Sequence, residues 1–134
     1  MRDINLIVIH CSATPPDQKI GAEEIRDWHV NGNKWSDIGY HYVIRRNGVI
    51  DVGRDVSVAG AHAKGYNHGS IGICLVGGVD EENKPDANYT RMQWRSLSIL
   101  VDDLVEEYDL QKVIGHRDIS TKACPCFNVA EWYT

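Results

Sequence analysis

Two apolar runs restrict the architecture of this chain more than any other feature: Leu6-Ile7-Val8-Ile9, preceded by Asn5 and closed by His10, and Ile71-Gly72-Ile73-Cys74-Leu75-Val76, closed by Gly77-Gly78. Neither alternates between apolar and polar residues, so neither suits a strand with one face in water. Each reads as a strand covered on both sides, near the middle of a sheet. Lys112-Val113-Ile114-Gly115-His116 reads as a further short strand. Residues 40–45 and 49–52 flank Asn47-Gly48, a hairpin signal because both residues tolerate positive φ, so an antiparallel pair joins the sheet.

The covering helices are also legible. Thr90 and Gln93 form a capping box, Tyr89 and Trp94 a hydrophobic staple, and Leu97, Leu100, Val101, Leu104, Val105 and Tyr108 follow a 3.6-residue period. Ile20-Gly21-Ala22-Glu23-Glu24-Ile25 reads as a second helix start, with Ile20 and Ile25 as staple and acidic residues in the first turn. Ile25, Trp28 and His29 share one face of it, and Gly32 ends it. A terminal turn contains Trp132. The expected fold class is α/β, a central mixed β-sheet flanked by helices on both faces, and 134 residues suffice for one domain spanning 1–134.

A net charge of −5 removes the overall cationic footprint that phosphate backbones require, so nucleic acid is not an expected partner. The longest apolar runs fall far short of the roughly 20 residues that cross a bilayer, and no export signal follows Met1. A monomer made in the cytoplasm, without membrane insertion, is expected. Four cysteines are too few for a disulfide scaffold; Cys11 and Cys74 read as buried, reduced hydrophobes.

Two of the expected strands end in histidine, at Ile9-His10 and Gly115-His116. Ligands of open α/β sheets gather beyond the strand ends, so histidines ending neighbouring strands converge there. Cys124 follows His116 by eight residues, on a loop able to fold back over the same edge. Two imidazoles and a thiolate supply three zinc ligands and leave the fourth position to water, the arrangement of a catalytic site. A strand-end histidine is more often an ordinary surface residue, and His41, His62 and His68 remain alternative ligands, whereas His29 on the apolar helix face reads as structural. A bound zinc lowers the pKa of its water from about 15.7 toward roughly 7, which suits amide hydrolysis. Lys122, close to Cys124, is placed to stabilise a developing oxyanion. Tyr40, beside Gly39 at a strand start, is placed to hydrogen-bond the zinc water or that oxygen. Without a metal the two read as a solvated lysine and a strand aromatic. The His-Glu-x-x-His helix of many metalloproteases is missing, so Tyr40 and Lys122 share the proton and charge work.

Several long segments resemble the zinc-dependent N-acetylmuramoyl-L-alanine amidases of phages, whose fold is shared with animal peptidoglycan recognition proteins. They are Val8-Ile9-His10-Cys11-Ser12-Ala13-Thr14, Glu24-Ile25-Arg26-Asp27-Trp28-His29, Asp37-Ile38-Gly39-Tyr40-His41-Tyr42-Val43-Ile44, residues 57–78, and the closing Gly115-His116 and Lys122-Ala123-Cys124-Pro125. The resemblance implies one zinc ion per chain on His10, His116 and Cys124, with a catalytic water, and Tyr40 and Lys122 in hydrolysis. It implies cleavage of the amide between N-acetylmuramic acid and L-alanine in peptidoglycan, by an endolysin that reaches the wall after release. His62 would line the substrate groove; Lys64, Arg46 and Arg54 are candidates to meet stem-peptide carboxylates, and each reads equally well as an exposed solubilising charge. Cys126 stands where a small residue is expected and is placed to compete for zinc or to form a disulfide under oxidation, and Asp118 to act as an outer hydrogen-bond partner of the site. The alternative is a muropeptide-binding module of the same fold that does not cut; Cys124 argues against it, since non-catalytic relatives generally lack that cysteine.

Overall fold

Side-chain alternation along β1 (Leu6–Cys11) sorts the molecule into layers. The computed structural model describes residues 1–134. Ile7, Ile9 and Cys11 face one side of the sheet, while Leu6 and Val8 pack on the other with Ala63. Two parallel strands, β4 (Ser70–Leu75) and β5 (Lys112–Gly115), flank β1. β2 (Tyr42–Ile44) runs parallel on the far side of β4, and β3 (Ile50–Val52) closes that edge antiparallel to β2. The sheet is therefore mixed and ordered β3-β2-β4-β1-β5, with both apolar runs inside it, as their lack of alternation requires.

The first face carries the larger core. Ile7, Ile9, Ile71, Ile73 and Leu75 meet Leu97, Leu100, Val101 and Leu104 of α2 (Arg91–Tyr108), and Val129 of α3 (Val129–Tyr133) completes the layer. Each such side chain contributes about 1.5–3 kcal/mol on leaving water. On the second face, Val43, Cys74 and Val76 pack against Ile38 and against Ala22 and Ile25 of α1 (Ala22–Asp27). Helices thus cover both faces. No helix is long and apolar enough to cross a membrane.

The element ends show where local sequence dictates geometry. At the start of α2, Thr90 Oγ1 accepts the Gln93 N–H at 3.1 Å, and Gln93 Oε1 accepts the Thr90 N–H at 3.0 Å. Tyr89 and Trp94 meet edge to face, with centroids 5.5 Å apart. In the hairpin only Gly48 takes positive φ, at 88°; Asn47 instead accepts the Val49 N–H on its side-chain oxygen at 3.0 Å. α1 is prolonged by a π turn over Trp28–Gly32, where the Asn33 N–H reaches back to the Trp28 carbonyl at 3.1 Å. Trp28, still bonded back to the Glu24 carbonyl, is 40% exposed and stands outside the core cluster that holds Ile25. β5 ends at Gly115, one residue earlier than expected, and His116 opens a 3-10 turn over His116–Asp118.

Candidate metal centre

His10, His116 and Cys124 converge at the C-terminal ends of β1 and β5, with one donor atom from each within 4.8 Å of the others. His10 is the next-to-last residue of β1 and is 1% exposed. The 3-10 turn lifts His116 out of the strand, setting its ring centroid 4.5 Å from that of His10. Asp118 Oδ2 closes this turn by accepting the Gly115 N–H at 2.9 Å; that bond, not the outer-partner role expected for it, is what the structure gives this carboxylate.

Cys124 arrives on a loop tied down at several points. Its carbonyl accepts the Arg117 N–H at 2.7 Å, and the Tyr89 hydroxyl donates to the Pro125 carbonyl at 2.7 Å, beyond the cis Cys124–Pro125 peptide. Cys124 Sγ accepts the Cys11 N–H at 2.9 Å, a bond that favours the thiolate. Hydrogen bonding with the Cys11 side chain and burial outweigh it and push the thiol pKa up, so a metal ion must displace a proton from the metal-free site. Burial, with His62, His116 and Lys122 adding to it, holds His10 well below the usual imidazole range. Burial and Lys122 act likewise on His116. Two imidazoles neutral at pH 7 and one sulfur, with no fourth His, Cys, Asp or Glu in the group, fit an open zinc site.

The other expected residues fall around this group. The Tyr40 ring lies 5.1 Å from that of His10 and 5.6 Å from that of His29. Burial, then Cys74, Cys124 and Cys11, raise its phenol well above the usual range, so it keeps its proton. Lys122 is exposed on a cleft of about 460 Å³ shared with Trp35, His62, Lys64 and His116. His62 Nδ1 lies 2.8 Å from His10 Nε2, and its Nε2 lies 3.2 Å from Ser70 Oγ. Burial first, then His41, His116, Arg2 and Arg54, pull the His62 pKa down to about 3.

The alternative ligands are occupied or remote. His41 Nδ1 accepts the Gly72 N–H at 3.0 Å, so its proton sits on Nε2 and goes to the Val58 carbonyl at 2.8 Å, leaving no lone pair for a metal. His68 lies beside Asn5 and Lys112, at the opposite ends of the strands. His29 Nδ1 accepts the Gly39 N–H at 2.9 Å, a structural role. Cys126 turns its Sγ to the Gly78 carbonyl at 3.2 Å and stays outside the donor group, so it does not compete there. Arg46 and Arg54, expected at the stem peptide, are structural clamps. Arg46 donates to Gln93 Oε1 at 3.1 Å, and Arg54 donates to the carbonyls of Ile38, Ala59 and Asp37. Both guanidinium groups satisfy acceptors from separate segments, which a charged-residue pattern does not disclose.

Sequence reasoning missed Ser70, Gly72 and Asn67. Asn67 Oδ1 accepts the N–H groups of His62 and Ala63, at 2.9 and 2.8 Å, and pins the His62 backbone. A Cβ at position 72 would fall 2.6–2.8 Å from three His62 ring atoms. The signal was the lone glycine inside an apolar strand, which marks a close approach.

The family model described as N-acetylmuramoyl-L-alanine amidase matches residues 1–127. The endolysin of Enterobacteria phage T3 is 48% identical over 127 residues, covering 95% of this chain and 83% of the relative. Among solved structures, N-acetylmuramoyl-L-alanine amidase LysC from Clostridium intestinale URNW superposes with a TM-score of 0.83 at 31% identity, over 98% of this chain and 83% of that one. Drosophila PGRP-LB superposes with a TM-score of 0.78 at 28% identity, over 93% and 76%.

Proposed function

The chain belongs to the N-acetylmuramoyl-L-alanine amidase family, and from that membership we propose that it works with one zinc ion held by His10, His116 and Cys124. It is an amidase of the endolysin kind, and the bond it cuts joins the lactyl group of N-acetylmuramic acid to L-alanine in peptidoglycan. Its site of action is the bacterial wall, reached after release. The single observation carrying the metal reading is that donors from three distant segments meet within 4.8 Å with no fourth His, Cys, Asp or Glu in the group.

A zinc ion held by His10, His116 and Cys124 would supply Lewis-acid chemistry, the polarisation of a carbonyl and the activation of water near neutral pH. The chain's own side chains do the rest. Tyr40 holds its proton and offers an O–H donor beside His10. The Lys122 ammonium, at the cleft edge, balances negative charge as the carbonyl carbon becomes tetrahedral. His62 and Lys64 line the same cleft, where Lys64 meets the carboxylates of the stem peptide. Hydrolysis adds water across the amide, leaving a lactyl carboxylate and a free L-alanine amine.

Metal analysis tests this reading. The purified chain should hold about one zinc, and Cys124→Ser should lose both the zinc and the hydrolysis, because a neutral hydroxyl replaces the thiolate. Stoichiometric zinc and undiminished turnover in that variant would contradict it.

A further inference from the structure

The contact between His10 and His62 assigns a role that the substrate cleft does not account for. An imidazole nitrogen offers either one N–H or one lone pair, so the 2.8 Å contact from His10 Nε2 to His62 Nδ1 has only two neutral arrangements. If His62 Nδ1 carries the hydrogen, His10 accepts it on Nε2 and must hold its own proton on Nδ1, which leaves His10 no donor for a metal. If His10 Nε2 carries it, the His10 Nδ1 lone pair is free, and the His62 proton moves to Nε2, where Ser70 Oγ stands 3.2 Å away to accept it. Only the second arrangement makes His10 a ligand.

We infer that His62 is a positioning residue for the metal centre: its Nδ1 accepts the His10 Nε2–H, fixing the tautomer that leaves His10 Nδ1 free for the ion, and Ser70 Oγ fixes His62 in turn. The inference rests on the zinc reading above. The packing supports a locked ring. The two imidazoles meet edge to face, 87° apart in plane with centroids at 4.9 Å. Asn67 holds the His62 backbone, and the ring lies over Gly72 of β4, where any side chain would collide with it. Metal-bound histidines usually pass their second N–H to a carboxylate, a carbonyl or water. A neutral imidazole orients the ring equally well but adds no negative charge, so more of the ion's charge remains for the substrate carbonyl.

Zinc affinity of the full-length chain, measured by competition with a chromogenic chelator, tests this apart from turnover. His62→Leu should bind zinc about 10–100-fold more weakly, the range expected for losing an outer partner. His62→Asn, whose side-chain oxygen replaces Nδ1 as acceptor, should recover most of that loss, and Ser70→Ala should lose less than His62→Leu. In the parent protein loaded with zinc, long-range 1H–15N spectra should place the protons of His10 and His62 on Nε2; this readout needs no variant to fold. His62→Leu holding zinc within about twofold of the parent, or a proton on His62 Nδ1, overturns the inference while leaving the zinc amidase reading intact. A parent that binds no zinc overturns that reading and this one with it.

Discussion

Lys122 is the clearest case in which one side chain separates chemistry from metal binding. It sits at the cleft edge and belongs to no donor group, so Lys122→Ala should keep its zinc and slow turnover on the order of a hundredfold, the usual effect of deleting an oxyanion partner. Steady-state kinetics on a muropeptide with parallel metal analysis checks this; a rise in KM at constant kcat would make Lys122 a substrate contact. The convergence of His10 and His116 was legible because histidines closing apolar runs emerge near the strand ends, where ligands gather, and that of Cys124 because eight residues let its loop return to the same edge. Tyr40 and Lys122 took their roles from proximity to that edge and from family resemblance. The His62 contact was not legible, because a hydrogen bond between residues 52 positions apart leaves no local pattern. Arg46 and Arg54 misled for the same reason: a guanidinium reads alike in sequence whether it meets solvent, substrate or a buried carbonyl.

Among the elements, α2 is the one whose start is most fully specified locally, and its cap also ties it to the sheet. Thr90 Oγ1 accepts the Gln93 N–H and donates to the Arg46 carbonyl at 2.6 Å, while Gln93 Nε2 donates to the carbonyls of Val76 and Ile44 at 2.8 and 3.2 Å. Thr90→Ala removes the hydroxyl from both bonds and should cost about 1–2 kcal/mol in urea unfolding, with zinc content and turnover unchanged. A loss below about 0.3 kcal/mol would show that water replaces the cap at no cost. β1, β4 and α2 were readable because their patterns extend over several residues and reflect which faces are covered. The π turn after α1 was not, since no local residue marks the change of pitch over Trp28–Gly32. The hairpin was found but its turn was misjudged: Asn47 uses its side chain to close the turn and so has no need of positive φ.

At the scale of the whole molecule, the buried histidines couple folding to pH. Burial lowers the pKa of His41 to about 4 and of His62 to about 3, and holds His10 well below the usual range. An unfolded chain takes up these protons near pH 6.5, whereas the folded chain does not. Stability is therefore complete above about pH 6.5 and falls as pH drops toward the folded values, by about 1.4 kcal/mol per pH unit for each such histidine. By about pH 4, His41 and His62 alone would remove about 7 kcal/mol, enough to exhaust a reserve at the lower end of the usual 5–15 kcal/mol. Urea midpoints of the metal-free protein should fall steeply from pH 6.5 to 4.5, and a flat profile would show that these imidazoles are not held neutral. The same neutrality keeps His10 and His116 available as ligands at pH 7, so folding and metal binding depend on one protonation state. The most direct test of what that arrangement does is digestion of a defined muropeptide with mass analysis of the products. The account predicts an intact stem peptide bearing a free L-alanine amine, together with the unbroken sugar. A cut within the glycan or the peptide, or a muropeptide returned whole by the zinc-loaded protein, would contradict it.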